Sequence, residues 1–451
     1  MSALPFIGVI FVLFAEGILL ARVVLPFTWK NLEVAFALPL SAFMNALVIV
    51  CLTLLGSKID TAHLLGAHGI VIITLAIYVW MTKERIKPAF SSEENQRPGI
   101  ISLITAMLIV MVSIYSLIHA AMLPTNQYDS ATNWTMRSKI SFYDKAIAFD
   151  SNEVRGMAKP QYPFLFHGLQ ITANAGQSSW SDAAANIILL LLSISSFVSG
   201  YFLLRRKLNV EHSLVTVGLI VSIPLVSVHL AQGYADINLL QYLLLATLTL
   251  WLWINESEKL GLGWLILSGI FVSAAVWTKS EGSVFGLLPW IVTIVVVAWK
   301  ELRRRKNAVI GLTTAMSLSL LWALFAWIKD LSMTPHSSDT LLGFHPEGIN
   351  EAFLGLFSRG SFGIVWYALS ILIPLVITFG IKNDPRIHRR SLPILIPGIA
   401  AFILVLFVYL CTPNVRYLLN GESYYRQMML PASLLILATS LVLRIDRKES
   451  H

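Results

Sequence analysis

Apolar residues in this chain gather into long unbroken runs, divided by short polar segments. Runs of about 18 to 25 residues, rising 1.5 Å per residue, match a hydrocarbon layer roughly 30 Å thick. The pattern predicts about thirteen membrane-spanning helices. They lie near 4–24, 33–55, 64–82, 99–123, 183–204, 212–231, 236–254, 261–278, 283–299, 308–328, 361–381, 391–411 and 427–443. The expected fold class is therefore an all-α polytopic membrane protein. Composition agrees: 56% of the 451 residues are hydrophobic and 13% charged, about half the charged share of a soluble protein. Mean hydropathy is +0.72.

Charge fixes an orientation. The formal net charge is +8, which by itself is compatible with a nucleic-acid partner. The positive residues, however, cluster in short loops between apolar runs: KERIK at 83–87, RRK at 205–207, KELRRRK at 300–306, KNDPRIHRR at 382–390 and RIDRK at 444–448. That is the positive-inside pattern, so these loops are cytoplasmic, the N-terminus lies outside and the C-terminus inside. No nucleic-acid partner is expected; the lipid bilayer is. The first run lacks a basic start and a small-residue cleavage site, and reads as a retained span. Cys51 and Cys411 stand far apart with no metal-ligand neighbours and read as packing residues.

The same orientation makes 124–182, 232–236, 279–282, 329–360 and 412–426 external. The first is too long for a bare connection, and long loops tend to be functional. Met136, Ile140, Tyr143 and Ile147 form a helical stripe within it, and Asp129 or Ser130 is placed to cap that helix. A second apolar stretch, QYPFLFHGLQITANAG, follows at 161–176. Both stretches are expected as helices lying on the membrane surface. One membrane domain results: three N-terminal spans over 1–98, a core over 99–282 holding the external loop 124–182, and C-terminal spans over 283–451 with external loops 329–360 and 412–426.

Ionisable residues at the edge of hydrocarbon mark a functional cavity by default. Asp129 in YDSATNWTMRSK, Asp236 in GYADINLLQYLLL, Lys279 and Glu281 in VWTKSEG, and Arg416, Glu422 and Arg426 in TPNVRYLLNGESYYRQMMLP all fall at external span ends. An acid suits a general base toward a hydroxyl, and Arg suits a phosphate through its planar donor fork. A substrate with a phosphate head and an apolar tail fits such a lip, which points to a polyprenyl-phosphate sugar. Glu16, inside the first span, reads as a polar residue turned toward other helices. HPEG at 345–348 reads as a loop turn. The sequon Asn133-Trp134-Thr135 is discounted as a chance match.

The order of these features resembles the GT-C superfamily of membrane glycosyltransferases. It is most similar to the protein O-mannosyltransferase and aminoarabinose-transferase branch, which is glycosyltransferase 39-like. Residues 99–282 carry the resemblance, and 412–440 do so more loosely. Two features depart from the pattern: the acid follows the fourth span rather than the first, and Ser130 stands where a second adjacent acid is usual.

The resemblance implies a membrane glycosyltransferase. It would move a sugar from a polyprenyl-phosphate donor to a hydroxyl of a glycan, lipid or protein acceptor, with inversion, on the periplasmic face of a bacterial inner membrane. Asp129 would be the catalytic base. Arg426, Lys279 and Arg416 would hold the donor phosphate. Asp236, Glu281, Trp134, Tyr162 and His167 would orient the substrate. No cofactor is required by this reading, and a divalent cation, Mg or Mn, is left open. Two other classes share these features: a transporter or flippase of a lipid-linked substrate, and a glycan ligase. A transporter would show two related halves and broken helices at mid-membrane, and no repeat is evident.

Overall fold

The computed structural model describes residues 3–26, 30–82, 99–149, 162–256, 258–331, 342–382 and 392–443. Among these residues the regular structure is helical throughout. Eleven helices are long and apolar enough to cross a membrane. The first four are α1 (Ala3–Val24), α2 (Lys30–Leu54), α3 (Thr61–Met81) and α4 (Ile100–Met122). Two short helices follow, α5 (Met136–Asp144) and α6 (Leu165–Ala173), and then the span α7 (Asp182–Arg205).

The run expected at 212–231 is two helices, α8 (Val210–Val221) and α9 (Pro224–Ala231), bent by 74°. Pro224 opens α9 at a position where its missing N–H is harmless. It also pushes Ile223 out of the helical region, to φ −58° and ψ 119°. The remaining elements are α10 (Ala235–Asn255), α11 (Glu258–Thr278), α12 (Leu288–Lys300), α13 (Arg305–Ile328), α14 (Glu347–Phe357), α15 (Val365–Lys382), α16 (Leu395–Leu410), α17 (Val415–Leu419) and α18 (Tyr424–Val442). With the bent pair and the shorter α15, helices lie at the thirteen expected positions, eleven of them, or twelve with the bent pair, long enough to span.

Helix α10 is the axis of the bundle: every residue from Ala235 to Ile254 is buried. A helix apolar all round belongs in such an interior. It packs on α7, α11 and α18. By contrast, most of α3 and α4 faces outward, where the surrounding medium is lipid. Asp236 thus sits one residue inside the outer end of the most enclosed helix.

The external loop corrects two expectations. Helix α6 does not lie on the membrane surface, because all nine of its residues are buried. It wedges between α2, α7 and α5. In α5 the apolar stripe is not the packed face. Tyr143 is exposed and Met136 and Ile140 are half-buried, whereas Arg137, Ser138 and Ser141 are buried. The reason is hydrogen bonding. Arg137 donates to the carbonyls of Ala148 (3.1 Å) and Tyr162 (2.7 Å), and Ser138 donates to Gln170 Oε1 (2.7 Å). Helix α5 ends at Asp144, earlier than expected, where Lys145 turns left-handed at φ 50°.

Candidate active site at one end of the bundle

Five charged groups from four distant segments meet at the N-terminal end of α10. The Arg426 guanidinium, at the head of α18, pairs with Asp129 Oδ2 and lies 3.7 Å from Asp236 Oδ2. Lys279 Nζ, just past α11, donates to Asp236 Oδ1 at 2.8 Å and reaches Glu281 Oε1 at 3.0 Å. Gln427 Nε2 also donates to Asp236 Oδ1, at 3.1 Å. Two acids are therefore joined through one arginine, with a lysine closing the far side.

Local sequence explains the placement. Asp129 is not the expected helix cap; its backbone is already helical and its side chain caps no N–H. It instead opens a π-helical turn, Ser130–Thr135, and Asn133 donates to its Oδ1 at 3.2 Å. A second π turn, Ser283–Leu287, follows Lys279 and Glu281. Wide turns of this kind recur at functional sites.

Ser130 ties the Asp129 turn to the Tyr-Ala-Asp turn. Its hydroxyl lies 2.7 Å from the carbonyl of Gln232 and 3.0 Å from that of Gly233. Gly233 has φ +65°, and a Cβ there would stand 2.9 Å from Asn186 Oδ1 and 3.2 Å from Ser130 Oγ. Glycine is what the crossing demands. Just beyond it, the Tyr234 ring lies between the His229 ring (4.6 Å) and the Arg426 guanidinium (5.0 Å). That cation–π contact holds the side of Arg426 away from the acids.

Exposure separates the members. The side chains of Asp236 and Lys279 are 3% and 6% exposed, those of Arg426 and Asp129 14% and 30%. Asp129 and Glu281, at 30% and 27%, are thus the acids that solvent reaches, and of the two Asp129 is the one paired with Arg426. Burial opposes the charge on Lys279, but the Asp236 and Glu281 carboxylates outweigh it and hold the ammonium above its usual range.

Trp134, Tyr162 and His167 do assemble, but as a wall. Trp134 stacks on Tyr162 at 4.7 Å and on His167 at 5.6 Å, and Lys279 Nζ lies 5.8 Å from the Trp134 ring centre. Trp134 and His167 are 3% and 1% exposed, so neither offers an open platform to a sugar, and only Tyr162 is partly exposed. His167 Nδ1 donates to the Trp134 carbonyl at 3.1 Å. Burial and nearby Arg137 push its pKa down, which keeps the ring neutral.

Arg416 takes a different position. It is exposed on α17, with its guanidinium 4.7 Å from the Tyr417 ring centre and 3.0 Å from that phenol oxygen. His345 and Glu347 of the HPEG turn pair with each other, at 3.1 Å. Gln427 and Tyr234 belong to the constellation without having been singled out from sequence, and Ser130 and Asn133 belong to it in roles other than the cap and the chance sequon read there. Their signal was adjacency alone, since each lies within four residues of a named charge.

Among the described residues, no three His, Cys, Asp or Glu side chains are grouped to hold a metal ion. Asp129 and Asp236 address Arg426 instead.

The fold and this cluster define a polytopic helical protein with a charged site at one end of its bundle. Comparison with known proteins narrows the fold. No family model matches the chain, and no curated protein does. Among solved structures the chain is similar to ArnT, an aminoarabinose transferase, from Cupriavidus metallidurans bound to undecaprenyl phosphate. The TM-score is 0.56 at 16% identity, over 77% of this chain and 61% of that one. The apo form of the same protein gives 0.54 at 17%, over 76% and 60%. An oligosaccharyltransferase of Archaeoglobus fulgidus gives 0.45 at 13%, over 75% and 49%. The chain spans about three-fifths of the length of the ArnT structures it matches. Its fold is similar to that of these ArnT structures.

Proposed function

We propose that this protein is an integral-membrane glycosyltransferase that moves a sugar from a polyprenyl-phosphate carrier to an acceptor hydroxyl. The observation that carries the reading is the Arg426 guanidinium held between Asp129 and Asp236, with Lys279 behind it. Two cations at one lip suit a lipid phosphate. The similarity in fold to a structure that binds undecaprenyl phosphate supports the same donor class. An apolar cavity of about 170 Å³, lined by Ile109, Ile194, Phe197, Val217 and Leu230, suits a prenyl tail. The loop charges favour the non-cytoplasmic face, and the likeness to a bacterial ArnT supports a bacterial inner membrane.

The resting pairs suggest the order of events. Asp129 is bound to Arg426 and is a poor base while that lasts. An arriving phosphate competes for the guanidinium and releases the carboxylate. Asp129 then takes the acceptor hydroxyl proton, the acceptor oxygen attacks the anomeric carbon, and the bond from that carbon to the phosphate oxygen breaks with inversion. The lipid phosphate leaves carrying the electron pair. It needs charge stabilisation, which Arg426 and Lys279 supply. Asp236 stays ion-paired throughout and holds both cations in place.

The test is direct. Purified protein given a polyprenyl-phosphate sugar and an acceptor should release lipid phosphate and form the glycoside, and Asp129→Asn should stop both. Movement of the lipid across vesicles without cleavage would instead make the protein a transporter.

A further inference from the structure

A second buried polar chain, outside the charged site, crosses the N-terminal spans. His68 of α3 lies with Nδ1 2.9 Å from Glu16 Oε2 of α1 and Nε2 3.0 Å from Asn45 Oδ1 of α2. Thr172 of α6 donates to the same Asn45 oxygen at 2.7 Å. All four side chains are fully enclosed. The Nε2 proton goes to Asn45 and one proton is shared between Nδ1 and Glu16, so a single chain of hydrogen bonds joins three spans to α6.

Helix α6 passes this link to the site. Gly168 and Thr172, four apart, share the face against α2, where a Cβ on Gly168 would come within 2.8 Å of Ile49 Cδ1. His167 and Gln170, three apart, lie on the opposite face. There His167 Nδ1 meets Ser138 Oγ and the Trp134 carbonyl, each at 3.1 Å, and Gln170 Oε1 accepts from Ser138 at 2.7 Å. Trp134 and Ser138 belong to the helical segment that starts at Asp129. A buried hydrogen-bonded network of this kind fixes geometry, and it fails sharply when one partner is lost.

We infer that His68, with Glu16, Asn45 and Thr172, is a positioning residue: the N-terminal spans act as a strut that sets the Asp129 helix through α6. The catalytic arm of this inference rests on the glycosyltransferase reading; the mechanical arm does not. The test uses the full chain in lipid nanodiscs and compares Thr172→Val, which keeps shape but loses the donor, with Thr172→Ser, which keeps it. His68→Gln, whose amide reaches one neighbour but not both, is a second probe should it fold.

Thr172→Val should speed backbone hydrogen exchange across Met136–Asp144. It should also lower kcat about tenfold with donor KM unchanged. Thr172→Ser should behave as native in both. Native exchange in Thr172→Val overturns the strut, as does faster exchange with native kcat. If the native chain transfers no sugar, the functional reading falls, and the exchange measurement alone decides the mechanical link.

Discussion

Two buried polar clusters among the described residues are built to opposite rules. At the N-terminal end of α10, Asp129, Asp236, Lys279, Glu281 and Arg426 keep one side open: Arg426 and Asp129 remain partly exposed, and each cation answers to more than one acid. In the N-terminal spans, Glu16 and His68 form one pair with no exposed atom, sealed by Asn45 and Thr172. Surplus partners at an accessible edge permit exchange with a charged ligand. A closed pair permits none and specifies geometry instead. The difference teaches that charge in a membrane interior signals function only where its pairing can be reopened.

The comparison breaks most visibly at Asp129. Asp129→Asn should lower kcat by about 10²- to 10⁴-fold while thermal unfolding in detergent stays near native, because the residue is at the open edge. A drop in melting temperature with native kcat would make Asp129 a structural residue. At the sealed pair the signs reverse. His68→Ala strands Glu16 in the interior and should destabilise the fold by about 3–5 kcal/mol, read as early unfolding or loss of membrane-inserted protein. Next in size is Arg426→Lys. A lysine is a point charge that cannot serve Asp129 and Asp236 together, so donor KM should rise about 10- to 100-fold. An unchanged KM would place the phosphate elsewhere.

Sequence and structure agree most where physics is local. The spans were legible because length and hydropathy alone decide them, and Asp129, Asp236, Lys279 and Arg426 stood out as charges beside apolar runs. Their pairing was not legible, since partners such as Asp129 and Arg426 are 297 positions apart. The inverted face of α5 also escaped. An apolar stripe implies a packed face in water, but here Met136 and Ile140 are only half-buried and Tyr143 is exposed, while Ser138 and Arg137 find partners inside. Glu16 was visible as a polar residue turned inward; His68 was silent because one neutral histidine in an apolar run carries no periodic signal.

Smaller changes test how finely the open cluster is set. Gly233→Ala would force a side chain into a left-handed turn and against Asn186 and Ser130. It should destabilise by about 1–2 kcal/mol and lower kcat several-fold by shifting Tyr234 and Asp236, with donor binding less affected.

The smallest effect is expected at Arg416, and it sets the boundary of the site. Arg416 and Arg426 lie ten positions apart on the same external segment and looked alike in sequence. Arg426 is largely enclosed and engaged with Asp129, Asp236 and Tyr234, whereas Arg416 is exposed against Tyr417. An exposed cation is screened by solvent and holds an anion weakly. Arg416→Ala should therefore change donor KM by less than about twofold, measured beside Arg426→Lys at the same ionic strength. A loss at Arg416 as large as that at Arg426 would extend the phosphate site to α17 and show that exposure is no guide to which charges at this lip do chemistry.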